Sequence, residues 1–241
     1  MRVGRSSWVR WAIPAAVTAL VASTGTIASA GAAEAAVKKA SVGVFHAIPT
    51  GLGVDVVDVY ADGARIINNL KSGQLTNVRV PQGTYDIEIF VDGQTPRNDE
   101  PALSIDNVTF LAGTCSTVTA NLSATGAPTT NVFANCTARN PSGEGRVTVR
   151  HIAAAPAVDV LANGETLFGN VANGGAATSR VPAQPYSVAV TLASNGDPVL
   201  GPEVIAVSRP FNTIVYVWGS AADGTLAIKV QRTPTIRREV K

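Results

Sequence analysis

An internal repeat is the feature of this chain that most constrains its fold. Four landmarks of the first copy recur 101 positions later: Asp58, Gly63, Pro81 and Tyr85 are matched by Asp159, Gly164, Pro182 and Tyr186. The histidines are 105 positions apart, so the first copy carries about four extra residues between Pro49 and Val56. A fixed period of this length predicts two similar structural units in tandem.

The repeat divides the chain into domains of ordinary size. We assign residues 41–137 to the first domain and residues 146–231 to the second. Residues 138–145 are rich in Pro, Gly and Ser, which is typical of a flexible linker. Residues 232–241 form a short polar tail. We therefore expect two separate apolar cores joined by a mobile connection.

Each copy has the pattern of short β-strands. In the run from Thr84 to Val91, Tyr85, Ile87 and Ile89 alternate with acidic residues, as in a half-buried strand. Asp-Gly and Asn-Gly pairs between the runs favour tight hairpins. Residues beyond the first 30 show no sustained 3.6-residue apolar period. The pattern predicts an all-β protein with seven or eight strands per copy, which favours a β-sandwich.

The two cysteines are expected to form a disulfide. The midpoint between Cys115 and Cys136 falls in a predicted turn, so antiparallel pairing places them roughly opposite each other. Closing a loop of about 20 residues stabilises a fold by roughly 3 kcal/mol. Free thiols are the alternative. Either way, the pair has no equivalent in the second copy, where Phe211 and Arg232 take these positions in the repeat alignment.

The first 30 residues are typical of a secretory signal peptide. Arg2, Arg5 and Arg10 precede an apolar segment, and Ala28-Ser29-Ala30 offers a cleavage site after Ala30. A second site after Ala35 and an uncleaved anchor are alternatives. Removal of residues 1–30 leaves 16 basic and 17 acidic residues, so the formal charge changes from +2 to −1. Such a balance does not favour nucleic-acid binding, and we expect a secreted or envelope-associated protein with no membrane span after cleavage.

The landmark residues resemble one bacterial extracellular family. His46-Ala47, Val57-Asp58-Val59-Tyr60 and Val80-Pro81 are similar to the domain-of-unknown-function family numbered 4397, and the second copy keeps most of these positions. The resemblance implies two tandem immunoglobulin-like antiparallel β-sandwich domains. It implies no activity, catalytic residue, cofactor or ligand.

The paired histidines and aspartates are the first candidates for a site. His46 with Asp58, and His151 with Asp159, could act as metal ligands or as bases. A zinc site needs three or four ligands, and the sequence offers no second His or Cys nearby in either copy. We favour a structural role, in which each His bonds the Asp of its own copy, and we expect no metal or cofactor.

Trp218 is the remaining candidate. It shares a strand face with Ile214 and Tyr216, and this face aligns with Val118, Ala120 and Leu122 of the first copy, which predicts a core position. An exposed Trp-Tyr pair would instead indicate a platform for sugars.

We interpret the chain as a non-catalytic binding or structural module for an unknown protein or cell-wall partner. The expected contact surface is the pair of first-copy loops at residues 49–54 and 94–101, since loops commonly carry function. A carbohydrate or cell-wall binding module is one alternative. A metal-dependent hydrolase that uses His46 or His151 is the other.

Overall fold

The computed structural model describes residues 37–236, which form sixteen β-strands and belong to one compact unit. The predicted signal peptide and the last five residues of the tail lie outside this range. None of the described residues belongs to a helix long and apolar enough to cross a bilayer.

The strands divide into two sets of eight. The first set is β1 (Lys39–His46), β2 (Val56–Ala61), β3 (Ala64–Lys71), β4 (Leu75–Pro81), β5 (Gly83–Val91), β6 (Leu103–Phe110), β7 (Cys115–Leu122) and β8 (Pro128–Ala134). The second set is β9 (Glu144–His151), β10 (Val158–Ala162), β11 (Glu165–Val171), β12 (Ala176–Pro182), β13 (Pro185–Leu192), β14 (Pro198–Ala206), β15 (Phe211–Trp218) and β16 (Ala227–Pro234).

Each set forms two four-stranded sheets that enclose a core. The first set has the orders β4-β1-β7-β8 and β3-β2-β5-β6, and the second repeats them as β12-β9-β15-β16 and β11-β10-β13-β14. The prediction of all-β sandwiches is confirmed. The pairing is not purely antiparallel, because β1 runs parallel to β7, and β9 runs parallel to β15. Two apolar clusters fill the sandwiches, one centred on Val59 and Ile89 and the other on Val160 and Val190.

The predicted turns and the disulfide are present. Asp62 and Asn163 have φ angles of 47° and 55°, and each precedes a glycine that also has positive φ, as the tightest hairpins require. Cys115 and Cys136 are bonded, with a Cα–Cα distance of 5.1 Å, so the predicted disulfide is confirmed. It connects the first residue of β7 to the segment that follows β8.

A third apolar cluster joins the two sandwiches, which the sequence did not predict. Phe45 of β1 contacts Tyr216 and Trp218 of β15 edge to face, with ring centroids 5.2 Å and 5.7 Å apart. Ala47 and Ile152 complete this cluster. The central sheets β4-β1-β7-β8 and β12-β9-β15-β16 are therefore packed against each other as well as against their own partner sheets. The fold is a stack of four sheets with one continuous interior.

The strand face that carries Trp218 lies between the two sandwiches, and not in the core of the second sandwich as the sequence alignment predicts. Ile214 and Tyr216 are fully buried, but they contact the first sandwich, while Val215 and Val217 fill their own. The strand pairing explains the error, because Val44 pairs with Val118 and Val149 pairs with Val215. The alignment was one residue out of register, and a shift of one residue moves every side chain of a strand to the opposite face.

Polar groups complete the junction beside the aromatic cluster. The Arg150 guanidinium is 2% exposed and donates hydrogen bonds to the Tyr216 hydroxyl (2.6 Å) and the Ala134 carbonyl (2.9 Å). It also lies 4.4 Å from the centre of the Phe133 ring. Burial lowers the pKa of Arg150 and raises that of Tyr216. No carboxylate within residues 37–236 forms an ion pair with this cation, so its charge is balanced by dipoles and aromatic faces.

Further hydrogen bonds cross the junction between the sandwiches. Gln231 of β16 accepts one from the Thr117 hydroxyl of β7 at 3.0 Å and one from the Tyr216 hydroxyl at 2.8 Å. The Lys229 ammonium donates to the Gly73 carbonyl at 2.8 Å, and the Asn173 amide donates to the Leu122 carbonyl at 3.0 Å. Most polar groups buried between the sheets therefore have partners, which such burial requires.

The segment assigned as a flexible linker is held in place. Asn140 is 2% exposed, and its amide donates to the carbonyls of Arg209 and Phe211. Ala138 forms a β-bridge with Ile236. Strand β9 begins at Glu144, inside the assigned linker, and β16 continues to Pro234, inside the assigned tail. A composition rich in Pro and Gly predicts the absence of regular secondary structure, but it does not predict mobility. Contacts with residues distant in sequence, such as Arg209 and Ile236, hold this segment in place.

We predict that the two sandwiches unfold in one cooperative transition. Phe45→Ala removes the ring at the centre of the third cluster, and losing a buried Phe costs about 3–5 kcal/mol. Urea denaturation followed by hydrogen-exchange mass spectrometry should show both halves losing protection at the same, lowered midpoint. A second transition confined to residues 144–236 would contradict the continuous interior.

We predict that two replacements of Arg150 destabilise the fold to different extents. Arg150→Ala should destabilise the fold by about 3 kcal/mol, because it empties the space between Phe133 and Tyr216 and leaves the Ala134 carbonyl without its donor. Arg150→Met should cost less than half as much, since an apolar side chain of similar length keeps the packing without a buried charge. Urea midpoints of the two variants, compared at equal m-value, provide the measurement.

Candidate functional site

Both histidines are buried where the central strand of each inner sheet ends. The side chains of His46 and His151 are 0% exposed. His46 Nε2 lies 2.6 Å from the Val54 carbonyl, and His151 Nε2 lies 2.9 Å from the Pro156 carbonyl. A carbonyl only accepts, so Nε2 carries the proton in both rings. Each histidine thus fixes the loop that leads to the next strand of its own sandwich.

Both aspartates hold an irregularity in the adjacent strand. Asp58 Oδ1 accepts a hydrogen bond from the backbone N–H of Asn69 at 2.8 Å, and Asp159 Oδ1 accepts one from the backbone N–H of Asn170 at 2.7 Å. Asn69 and Asn170 have φ angles of 55° and 52°, where the pairing of β2 with β3, and of β10 with β11, shifts register. Such bulges leave an amide unpaired, and the carboxylate supplies its acceptor.

The two copies differ around the aspartate. Asp58 is 1% exposed and also pairs with the Arg65 guanidinium at 3.0 Å. Asp159 is only half-buried, and no salt bridge involves it within the described part of the chain. The burial of Asp58 therefore coincides with the presence of a counter-charge, as buried carboxylates require.

The expected bond between histidine and aspartate is not formed. Each of the four side chains bonds backbone groups of its own sandwich instead. Residues 37–236 contain no group of three or more His, Cys, Asp or Glu side chains placed to hold a metal ion. Because no His–Asp bond is formed in either copy, the four residues are not arranged as a general base with a carboxylate partner.

Two further landmarks have a role that sequence reasoning missed. The Tyr85 hydroxyl donates to the Pro81 carbonyl at 2.9 Å, and the Tyr186 hydroxyl donates to the Pro182 carbonyl at 3.0 Å. In both copies, this bond closes the corner where the chain passes from one sheet to the other. The repeated spacing of Pro and Tyr was the signal that could have revealed it.

Trp218 does not form an exposed aromatic platform. It is half-buried, with its ring against Phe45 and within about 3.1 Å of the position that a Cβ atom on Gly73 would occupy. Its neighbour Tyr216 is 0% exposed. The Trp-Tyr pair that would bind sugars by stacking is thus part of the junction between the sandwiches.

The two first-copy loops lie side by side at one end of the first sandwich. The Asp92 amide donates to the Val56 carbonyl at 3.0 Å, which places the start of one loop beside the end of the other. Asp55 accepts a hydrogen bond from the Gly51 amide, and Asp99 accepts one from the Thr95 amide, both at 2.8 Å. Both loops are ordered by their own aspartates.

The exposed side chains of these loops combine one apolar tip with several charges. Leu52 is 49% exposed. Asp99, Glu100 and Arg97 are exposed on the second loop. We call the residues at positions 49–54 and 94–101 the loop surface. Its second loop exposes two acidic residues and one arginine, and Leu52 is an apolar residue that a partner could cover.

Comparison with known proteins gives a family but no activity. The family model described as Domain of unknown function (DUF4397) matches residues 40–161, which is the first sandwich together with β9 and β10. No curated protein matches. Among solved structures, the chain is similar to the Bacillus anthracis TIE protein, with 10% identity and a TM-score of 0.22. That likeness covers 76% of this chain and 34% of the other, so this chain spans about a third of that protein's length.

We predict that the histidines make the fold less stable in mild acid. Burial lowers the pKa of both rings below the ordinary 6.5, with hydrogen bonds to Val54 and Pro156 opposing it. The unfolded chain then binds more protons than the folded chain as the pH falls through 6.5. The histidine contribution to the free energy of unfolding is therefore complete well above that pH and is lost as the pH decreases. The slope can reach about 1.4 kcal/mol per pH unit for each histidine.

Urea denaturation at several pH values between 7.5 and about 5 measures this slope. The double variant His46→Gln/His151→Gln should show a shallower dependence, whatever its stability at pH 7.5. An identical slope in the variant would contradict the assignment.

Proposed function

Because this chain belongs to the DUF4397 family of domains of unknown function, we propose a role that requires no chemistry: an exported, non-catalytic module that presents the loop surface to a partner. The observation that carries this proposal is the side-by-side placement of the two loops on a block of two fused sandwiches. A surface whose backbone is already ordered loses little conformational entropy when a partner binds. The partner would be a protein or a cell-wall component.

A non-catalytic role is also supported by how the titratable landmarks are used. His46 and His151 are fully buried, and each donates its Nε2 proton to a loop carbonyl. A general base needs access to the proton it removes. We therefore assign these histidines to the scaffold that holds the loops, and not to a reaction.

Export is proposed on the basis of the N-terminal sequence and the disulfide. Disulfides persist in oxidising compartments, and Cys115–Cys136 is formed in the first sandwich. N-terminal sequencing of chain recovered from the medium or the cell envelope should begin at Gly31. A chain found only inside the cell, with residues 1–30 retained, would contradict export.

We predict that Leu52→Asp weakens recognition at the loop surface at least tenfold. The substitution adds a charge to the apolar tip of a surface that is already acidic, which costs about 1.4 kcal/mol or more of binding free energy. Purified residues 31–241 would be cross-linked to an envelope fraction of the producing cells, and the partner would be quantified by mass spectrometry. Val204→Asp is the matched control, because Val204 is 74% exposed on the second sandwich, away from the loops.

Equal recovery of the partner with Leu52→Asp and with the unchanged chain would contradict the loop surface. Metal analysis of the purified chain addresses the enzymatic alternative. Stoichiometric metal that disappears in the His46→Ala/His151→Ala variant would overturn the non-catalytic assignment.

A further inference from the structure

A cleft opens between the sandwiches at the end remote from the loop surface. Its first part has a volume of about 320 Å³ and its second about 270 Å³, and the two share Ser41, Cys115, Thr233 and Pro234 in their walls. These volumes are near the lower limit for small-molecule sites. We call the two parts together the junction cleft.

Small side chains keep the cleft open beside a tightly packed junction. A Cβ atom on Gly43 would lie 2.8 Å from Gln231 Nε2 and 2.9 Å from Thr117 Oγ1, so the sheets are in contact at that point. Farther toward the start of β1, Ser41 has no large residue opposite it, and Thr233 and Pro234 form the facing wall. The aromatic cluster around Phe45 lies at the other end of the same strand.

The walls carry positive charge without a compensating carboxylate. Ser41 pairs with Arg79 across β1 and β4, and Lys39 lies two residues before Ser41, so all three side chains point to the same face of the sheet. Among residues 37–236, neither Asp nor Glu lines the cleft, and the one salt bridge of these residues is Arg65–Asp58. A third cation, Arg232, also borders the cleft, but its guanidinium donates to the Ala206 carbonyl.

The deeper part of the cleft is lined by amides and hydroxyls. Asn77, Asn135 and Ser116 line it. Asn135 is 1% exposed, and its Nδ2 donates to Thr117 while its Oδ1 has no hydrogen-bond partner in the described part of the chain. That oxygen has almost no accessible surface, so the amide that a ligand in the cleft can reach is Asn77, which lines this part and is exposed. No aromatic residue of the described part of the chain lines the cleft, so recognition would depend on charge and hydrogen bonds and not on stacking.

We propose that the junction cleft binds an anionic, hydroxyl-bearing ligand. Its phosphate or carboxylate group lies between Lys39 and Arg79, and a hydroxyl of the ligand bonds the side-chain amide of Asn77. Both halves of the repeat contribute to the walls, so the site exists only in the fused molecule. This ligand site lies apart from the loop surface, and the proposal does not depend on the proposed function of that surface.

Isothermal titration of residues 31–241 with three polymers tests the proposal. Poly(glycerol phosphate) carries phosphate and hydroxyl groups, polygalacturonate carries carboxylate and hydroxyl groups, and dextran carries hydroxyl groups alone. We expect at least one of the two anionic polymers to bind and dextran not to bind. Binding of one anionic polymer and not the other identifies which anion the site takes. Dextran binding as tightly as either anionic polymer, or no binding by any polymer, would overturn the proposal.

Two charge-matched double variants locate the binding. Lys39→Gln/Arg79→Gln should raise the Kd at least tenfold. Lys71→Gln/Arg180→Gln removes the same charges from exposed positions outside the cleft, and Arg180 is the repeat equivalent of Arg79, so this control should change the Kd less than twofold. Equal losses in both variants would show non-specific attraction to the protein's charge and would overturn the site. Circular dichroism confirms that both variants remain folded.

Discussion

The packing of one inner sheet against the other is the interaction on which the rest of this structure depends. A four-stranded sheet normally buries one face and leaves the other in water. Here the sheets centred on β1 and β15 bury both faces, and the second burial places Phe45, Tyr216 and Arg150 in contact. Without that contact, the chain would be two small sandwiches on a flexible connection. With it, the loop surface and the junction cleft lie at opposite ends of one body.

The sequence was sufficient for everything that depends on local periodicity. Alternation at Tyr85, Ile87 and Ile89 predicted the strand and its faces, and the Asp-Gly and Asn-Gly pairs predicted the hairpins. The position of Cys115 and Cys136 about one hairpin predicted their bond. Each of these inferences uses residues that are near in sequence or directly opposed in a hairpin. Such relations are fixed by backbone geometry and need no knowledge of the tertiary fold.

The junction between the sandwiches could not be predicted from local periodicity, because its strands have the sequence pattern of strands with one face exposed to solvent. Thr117, Thr119 and Asn121 alternate with apolar residues along β7, which is the pattern of a strand with one face in water. All three are 0% exposed, because the second half covers this face. Thr117 donates to Gln231 of that half, and Thr119 donates to Asn121. Phe45 was a signal of the junction in the sequence, because it is an aromatic residue on the face of β1 that the alternating pattern predicts to be exposed to solvent. The prediction that each histidine bonds the aspartate of its own copy was wrong for a related reason. The recurrence of two residues in both copies indicates that both are needed in each copy, but it does not show that they are in contact.

The two halves of the junction are complementary but not alike, since the residue that precedes the histidine is Phe45 in one copy and Arg150 in the other. This difference matters while the chain is being made. The first sandwich is synthesised before the second. Until then, the face that packs against the second sandwich is uncovered, and it carries few apolar side chains among many hydroxyls and amides. Such a face is compatible with water, and it has no equivalent of the buried Arg150. Two copies of the first half cannot reproduce the junction, because neither supplies Arg150 or Tyr216.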